Sequence, residues 1–189
     1  GLWMLGDLGA AMLTDTDLVE AARRGQARAF TTLMTRHQGA ARSFARRLSV
    51  DPGEADDIAQ EAFVFVWRHL DRLRTPDRFK SWLLGVVWNR ARIRARSRIR
   101  RLARDGAWAD GAPQAVQAPG EAAVTAVQLF ETLPLDQRAV LALCHGEGWS
   151  HSQAADILDM PLGTVKSNVR RAKDKMQTLL RGENDDPAG

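Results

Sequence analysis

Between Ser150 and Lys173 the chain reads SHSQAADILDMPLGTVKSNVRRAK. Its cations, amide and hydroxyls are spaced to meet a polyanion along one helix. On a helix capped by Thr164, Val165 and Val169 turn inward and leave Lys166, Ser167, Asn168, Arg170, Arg171 and Lys173 outward. Ammonium and guanidinium groups neutralise phosphates, and arginine and asparagine make paired hydrogen bonds to base edges. A narrow basic helix fits the DNA major groove, which is wide enough to admit one. The chemistry expected here is therefore duplex binding without bond making or breaking.

That helix needs a scaffold to aim it. Ser152 to Leu158 reads as a short helix with Ala154, Ala155 and Leu158 on one face. Pro161 cannot continue it, because proline lacks an N–H and its ring clashes with the preceding turn. Helix, tight turn and second helix together form a helix-turn-helix. A plain amphipathic helix in a bundle is the alternative for this segment taken alone.

Two earlier segments also place reactive types at helical spacing. In Glu54 to Leu70, Asp57, Gln60, Glu61 and Val64 fall at i, i+3, i+4 and i+7, an acidic-polar stripe beside Ile58, Ala62 and Phe65. Such a stripe suits a basic helical partner, although a solvated bundle face has the same pattern. Arg72 to Arg101 combines a basic stretch (Arg72, Arg74, Thr75, Arg78, Lys80) with Phe79, Trp82, Trp88 and the amide Asn89, then an arginine ladder that includes Arg92 and Arg96. Cations attract phosphates, and aromatics stack on or wedge between bases. Core packing is the competing role for Trp82 and Trp88. The ladder spreads around the helix, so no apolar seam is expected beyond Ile93, and that end should project from the core.

Composition narrows the classes. The chain has 189 residues, 44% hydrophobic, with a formal net charge of +4. From Arg90 to Arg104 there are eight arginines and no acid, whereas Asp15, Asp17, Glu20, Asp51, Glu54, Asp56, Asp57 and Glu61 cluster earlier. One face thus suits a polyanion and another a basic surface. Cys144 is the single cysteine, which excludes an internal disulfide and fits a reducing cytoplasm. No apolar run approaches the roughly 20 residues that span a bilayer. The first residues lack the basic start of a signal peptide. Gly1 cannot be an initiator, so Met4 or Met12 is the expected native start. No phosphate-cradling glycine motif is present, and His145 and His151 lack a third neighbouring ligand, so no cofactor or metal is expected.

The expected fold is all-α, with two small helical domains joined by a flexible linker. Residues 14–104 form the first domain. Its helices are expected at about Asp15 or Thr16 to Gly25, Gln26–Leu48, Glu54–Leu70 and Thr75–Arg104. Residues 105–120 (DGAWADGAPQAVQAPG) are rich in Ala, Gly and Pro and read as the linker. Residues 121–182 form the second domain, with helices near Glu121–Thr132, Asp136–His145, Ser152–Leu158 and Thr164–Arg181. Sixteen linker residues reach on the order of 50 Å. The domains can then occupy DNA sites about one and a half turns apart, at about 34 Å per turn.

Taken together, these segments resemble a bacterial sigma factor of the extracytoplasmic-function group. DLVEAARRGQARAFTTLMTRH resembles the start of that family's first conserved domain, DDIAQEAFVFVW its polymerase-docking helix, and FKSWLLGVVWNRARIRAR its promoter-melting segment. LPLDQRAVLALCHGEGWSHSQAADILDMPLGTVKSNVRRAK resembles the domain that reads the −35 element. The resemblance implies promoter-specific initiation in partnership with core RNA polymerase, promoter DNA and a cognate anti-sigma factor, as in stress responses. It implies that Asp57, Gln60 and Glu61, with Val64 beside them, meet the clamp helices of the polymerase largest subunit. It places Asn89 beside a pocket for a base flipped from the −10 element, built by the loop Asp71 to Arg78. Arg72, Arg74, Thr75, Arg78, Lys80, Arg92 and Arg96 are then −10 DNA contacts. Lys166, Ser167, Asn168, Arg170 and Arg171 are −35 contacts, and the linker passes through polymerase toward its active centre.

The chain departs from the family pattern at four positions. Ile93 stands where an acid or amide is frequent, Gly85 where larger residues are common, Trp88 in place of a small or aliphatic residue, and Asn168 in place of arginine. Three other functions compete. A sigma-like decoy would sequester an anti-sigma factor without directing transcription, but the basic ladder and recognition helix are intact. A dimeric repressor explains the helix-turn-helix and neither earlier segment. An enzyme is least supported, since Cys144 lies in the apolar stretch AVLALC.

Overall fold

A computed structural model of the chain describes residues 9, 12–49, 51–106 and 126–184. All regular structure among them is helical. Helix α1 is Asp15–Arg23, α2 is Ala27–Leu48 and α3 is Pro52–Arg68. Two 3₁₀ turns, Leu70–Arg72 and Pro76–Arg78, lead into α4, Phe79–Arg104. The second domain holds α5 (Ala126–Glu131), α6 (Leu135–Leu141) with a π turn at Ala142–Gly146, α7 (His151–Leu158) and α8 (Leu162–Asn184). Most of the expected linker lies outside the described residues.

Local chemistry sets the boundaries. Thr14 caps α1 in a reciprocal box with Asp17, so the helix starts at Asp15. The Asp51 carboxylate accepts from the Glu54 N–H, with Pro52 in the first turn, so α3 starts two residues early. Ser150 and Gln153 cap α7 reciprocally, at 3.1 and 2.9 Å. Asp159 then ends α7 in the left-handed region (φ 50°), which aspartate tolerates better than most residues. Thr164 does not cap the last helix. The turn at Pro161 already accepts from the Thr164 and Val165 N–H groups, and α8 begins at Leu162.

Helices α1 to α4 close around Leu18, Leu33, Phe44, Ile58, Phe79 and Leu83, each no more than 1% exposed. Burial of one such side chain contributes about 1.5–3 kcal/mol relative to exposure. Trp88 is buried too, while Trp82 is half-buried beside Phe79. The His37 ring packs on Phe79, and its Nε2 lies 2.7 Å from the Asp15 carboxylate. Burial pulls the His37 pKa below the usual histidine value, against the pull of Asp15.

The sequence carries no sign of how the domains sit together. Here they pack directly, in one apolar cluster that joins Val86 and Trp88 of α4 to Ala154 and Ile157 of α7. A second contact runs from the α2 end, where Arg138 of α6 donates to the Arg47 carbonyl at 3.4 Å.

Candidate functional site

The acidic stripe of α3 lies where its spacing puts it. Asp57, Gln60, Glu61 and Val64 are all exposed and line one groove of 600 Å³ between α3 and α4. The acids are not bare. Arg94 of α4 donates to the Glu61 carboxylate and lies 3.9 Å from Asp57. Arg98 donates to Glu54 at 2.6 Å. Arg90 caps the Phe65 ring at 5.2 Å, and Phe65 stacks on His69. Part of the arginine ladder thus serves α3 instead of projecting free. The signal was present as arginines four apart on one helix and acids three and four apart on another, but only the tertiary crossing pairs them.

A second cleft, of 530 Å³, opens on the other side of α4. Arg74, Thr75 and Arg78 line it from the loop, and Asn89 and Arg92 from the helix. Asn89 is exposed, and Arg92 lies over the buried Trp88 ring at 5.5 Å. The cleft therefore offers an amide, a hydroxyl and three guanidinium groups on an apolar floor. That combination hydrogen-bonds base edges and neutralises phosphates. Leu70 and Leu73 anchor the loop in the core. Arg23 of α1 fixes the backbone, donating to the carbonyls of Leu70 and Leu73. Nothing in the sequence marks Arg23, because its acceptors are main-chain oxygens.

The other expected −10 contacts lie elsewhere. Arg72 and Arg96 are exposed but do not line the cleft. Lys80 turns to the second domain, 3.9 Å from Glu147 and over the Trp149 ring at 5.5 Å. The cleft's far wall comes from Asp156, Ile157, Leu158 and Asp159 of the helix-turn-helix.

On α8, Lys166, Arg170 and Arg171 are exposed. Ser167 is half-buried and donates its hydroxyl to the Thr164 carbonyl at 3.0 Å. Asn168 corrects the sequence reading: it is 8% exposed and does not face outward. It shares the buried stripe of Val165, Val169 and Ala172, three residues after the first. The expected outward placement of Asn168 is therefore wrong, because the helix phase that buries Val165 and Val169 buries it with them.

The only cysteine is half-buried, and burial pushes its thiol above the usual value, so it stays protonated at neutral pH. Among the described residues no group of three or more His, Cys, Asp or Glu is placed to hold a metal, and no helix is long and apolar enough to cross a membrane.

Comparison with known proteins matches the two domains separately. Residues 33–108 match the model of sigma-70 region 2, and residues 125–176 that of sigma-70, region 4. The chain is 32% identical to the RNA polymerase sigma-H factor of Pseudomonas aeruginosa, over 88% of this chain and 94% of that protein. It is 31% identical to the ECF RNA polymerase sigma-E factor of Escherichia coli K12, over 89% and 97%. Among solved structures it resembles the sigma factor RpoE crystallised with the anti-sigma factor NepR from Bartonella quintana, with a TM-score of 0.66, 26% identity, and 80% of this chain and 96% of that one covered. It also resembles CnrH in complex with the cytosolic domain of CnrY, with a TM-score of 0.65, 27% identity, and 89% and 97% covered.

Proposed function

The chain belongs to the sigma-70 factors of the extracytoplasmic-function group, and from that premise we propose how its surfaces direct transcription initiation. The α3 groove docks core RNA polymerase, α8 reads the −35 duplex, and the cleft beside Asn89 captures an unpaired −10 base. The observation that carries this reading is the cleft, where one exposed amide stands among Arg74, Arg78 and Arg92 at the edge of a buried tryptophan.

Each surface suits its task physically. Exposed acids on α3 complement a basic partner and steer its approach. Lys166, Arg170 and Arg171 project from a helix narrow enough for the major groove. Extruding a base costs a few kcal/mol, offset by hydrogen bonds at Asn89 and by phosphate neutralisation, so strand capture needs no hydrolysis. The solved RpoE neighbour was crystallised with an anti-sigma factor, and we extend that class of partner to this chain.

The test is binding of the chain with core polymerase to single-stranded −10 oligonucleotides carrying each base at each position. Asn89→Ala should relax discrimination at one position while thermal stability and core binding hold. Loss of stability together with every function would reassign Asn89 to a structural role. Unchanged discrimination at all positions would remove it from base reading.

A further inference from the structure

Arg74, Thr75 and Arg78 reach the cleft from a loop with little backbone structure of its own. Two 3₁₀ turns flank an extended stretch, with Leu73 at φ −70° and ψ 108° and Thr75 at φ −121° and ψ 100°. Pro76 follows, without an N–H to donate. The local bonds run from Arg72 to His69 at 2.9 Å, from Leu73 to Leu70 at 3.3 Å and from Arg78 to Thr75 at 2.9 Å, and none of these spans Arg74. Leu70 and Leu73 are buried. Apolar burial sets how deep the loop sits, but it is non-directional and leaves the peptide planes free to rotate.

Arg23 supplies the missing direction. Its Nε and Nη2 donate to the Leu70 carbonyl at 3.3 and 3.2 Å, and Nη2 also donates to the Leu73 carbonyl. Among the described residues the Leu73 carbonyl has no other donor. Nη1 donates to the Glu20 carboxylate at 3.0 Å, which orients the group. One planar fork thus clamps both ends of the first turn, and the peptide it holds at Leu73 is the one that leads into Arg74. A guanidinium keeps that fork rigid, whereas an ammonium is a rotatable point charge. Arg23 does not line the cleft, so any effect on the ligand passes through the loop. We propose that Arg23 is a positioning residue for −10 readout, fixing where Arg74 and Thr75 stand against Asn89. The inference rests on reading the cleft as a −10 base site.

The experiment compares the full chain with Arg23→Met, which keeps the apolar stem and removes the donors, and with Arg23→Lys, which keeps the charge and loses the fork. Amide exchange at Arg72, Leu73 and Arg78 is read by NMR on the free protein. In Arg23→Met it should quicken about tenfold, the worth of a hydrogen bond from a charged donor, while amides within α2 and α3 keep parental rates. With core polymerase, Arg23→Met should weaken discrimination among single-stranded −10 oligonucleotides about fivefold, at the position that Asn89→Ala relaxes. Affinity for −35 duplex should match the parent. Arg23→Lys should share both defects. Parental exchange and discrimination in Arg23→Lys overturn the fork, and unchanged exchange in Arg23→Met overturns the clamp. Faster exchange throughout the first domain, with −10 and −35 binding lost together, makes Arg23 a general brace and also overturns the proposal. If Arg23→Met does not fold, Arg23→Lys alone decides. If Asn89→Ala relaxes a position and neither Arg23 variant does, the positioning role falls and the cleft reading stands. If none of the three relaxes any position, both fall.

Discussion

The outer faces of α3 and α8 are both polar, charged and exposed, yet among the described residues only α3 carries its counter-charges. On α3, Asp57 and Glu61 share Arg94, and Glu54 has Arg98. On α8, Lys166, Arg170 and Arg171 form no ion pair among the described residues. The difference fits two kinds of partner. Pre-paired acids are held in place and do not repel one another, and exposed pairs of this kind are worth about 0–1 kcal/mol, so a protein partner exchanges them cheaply. Unpaired cations gain most from a dense polyanion, whose condensed counterions they release.

Reversal of charge at the shared acid should have the largest effect. Glu61→Lys sets a lysine against Arg94 and against a basic partner together. Core polymerase affinity should fall about a hundredfold, or about 2.8 kcal/mol at 1.4 kcal/mol per tenfold, with circular dichroism unchanged. Native affinity in a folded variant would remove α3 from the docking surface.

Arg171→Ala should cost −35-dependent transcription an amount matching about 1–3 kcal/mol if the side chain reads a base. A loss equal across all −35 sequences assigns it to phosphate contact. In that case the slope of log affinity against log salt should drop by about 1. The α3 interaction should show a shallower salt dependence than the α8 interaction, and equal slopes would erase the distinction between the faces.

Arg94→Ala is the finer probe. It leaves Asp57 and Glu61 unscreened, so stability should fall by less than about 1 kcal/mol, while core affinity shifts by less than tenfold. A larger stability loss in urea unfolding would make the pair structural.

The smallest effect belongs to the core. Since burial holds His37 below the ordinary histidine pKa, the unfolded chain takes up a proton that the folded chain resists. The stability contribution is complete above the unfolded value and is lost as pH falls through the folded one. Urea midpoints should therefore decline from pH 7.5 to 5.5, and His37→Gln should flatten that decline.

Much of this was legible in the sequence, for identifiable reasons. The α3 stripe shows in spacing alone, because i, i+3, i+4 and i+7 share a helix face whatever lies beside it. The recognition helix was legible in outline. Val165 and Val169 fix its inward face, and that same phase takes Asn168 inward, three residues after Val165. The loop half of the cleft was visible in Arg74, Thr75 and Arg78. Its α7 half was not, because the groups that meet Gly85 and Trp88 are main-chain carbonyls with no residue signature. The sequence did mark Gly85 and Trp88 as unusual for the family, and they are the residues that meet α7.

Run-off transcription with purified core polymerase on a promoter pool randomised at −35 and −10 tests the central claim most directly. Discrete transcripts should depend on the chain, with both elements enriched, and Arg171→Ala should relax the first while Asn89→Ala relaxes the second. A chain that binds core polymerase yet yields no chain-dependent transcript would contradict the account and leave a sigma-like decoy.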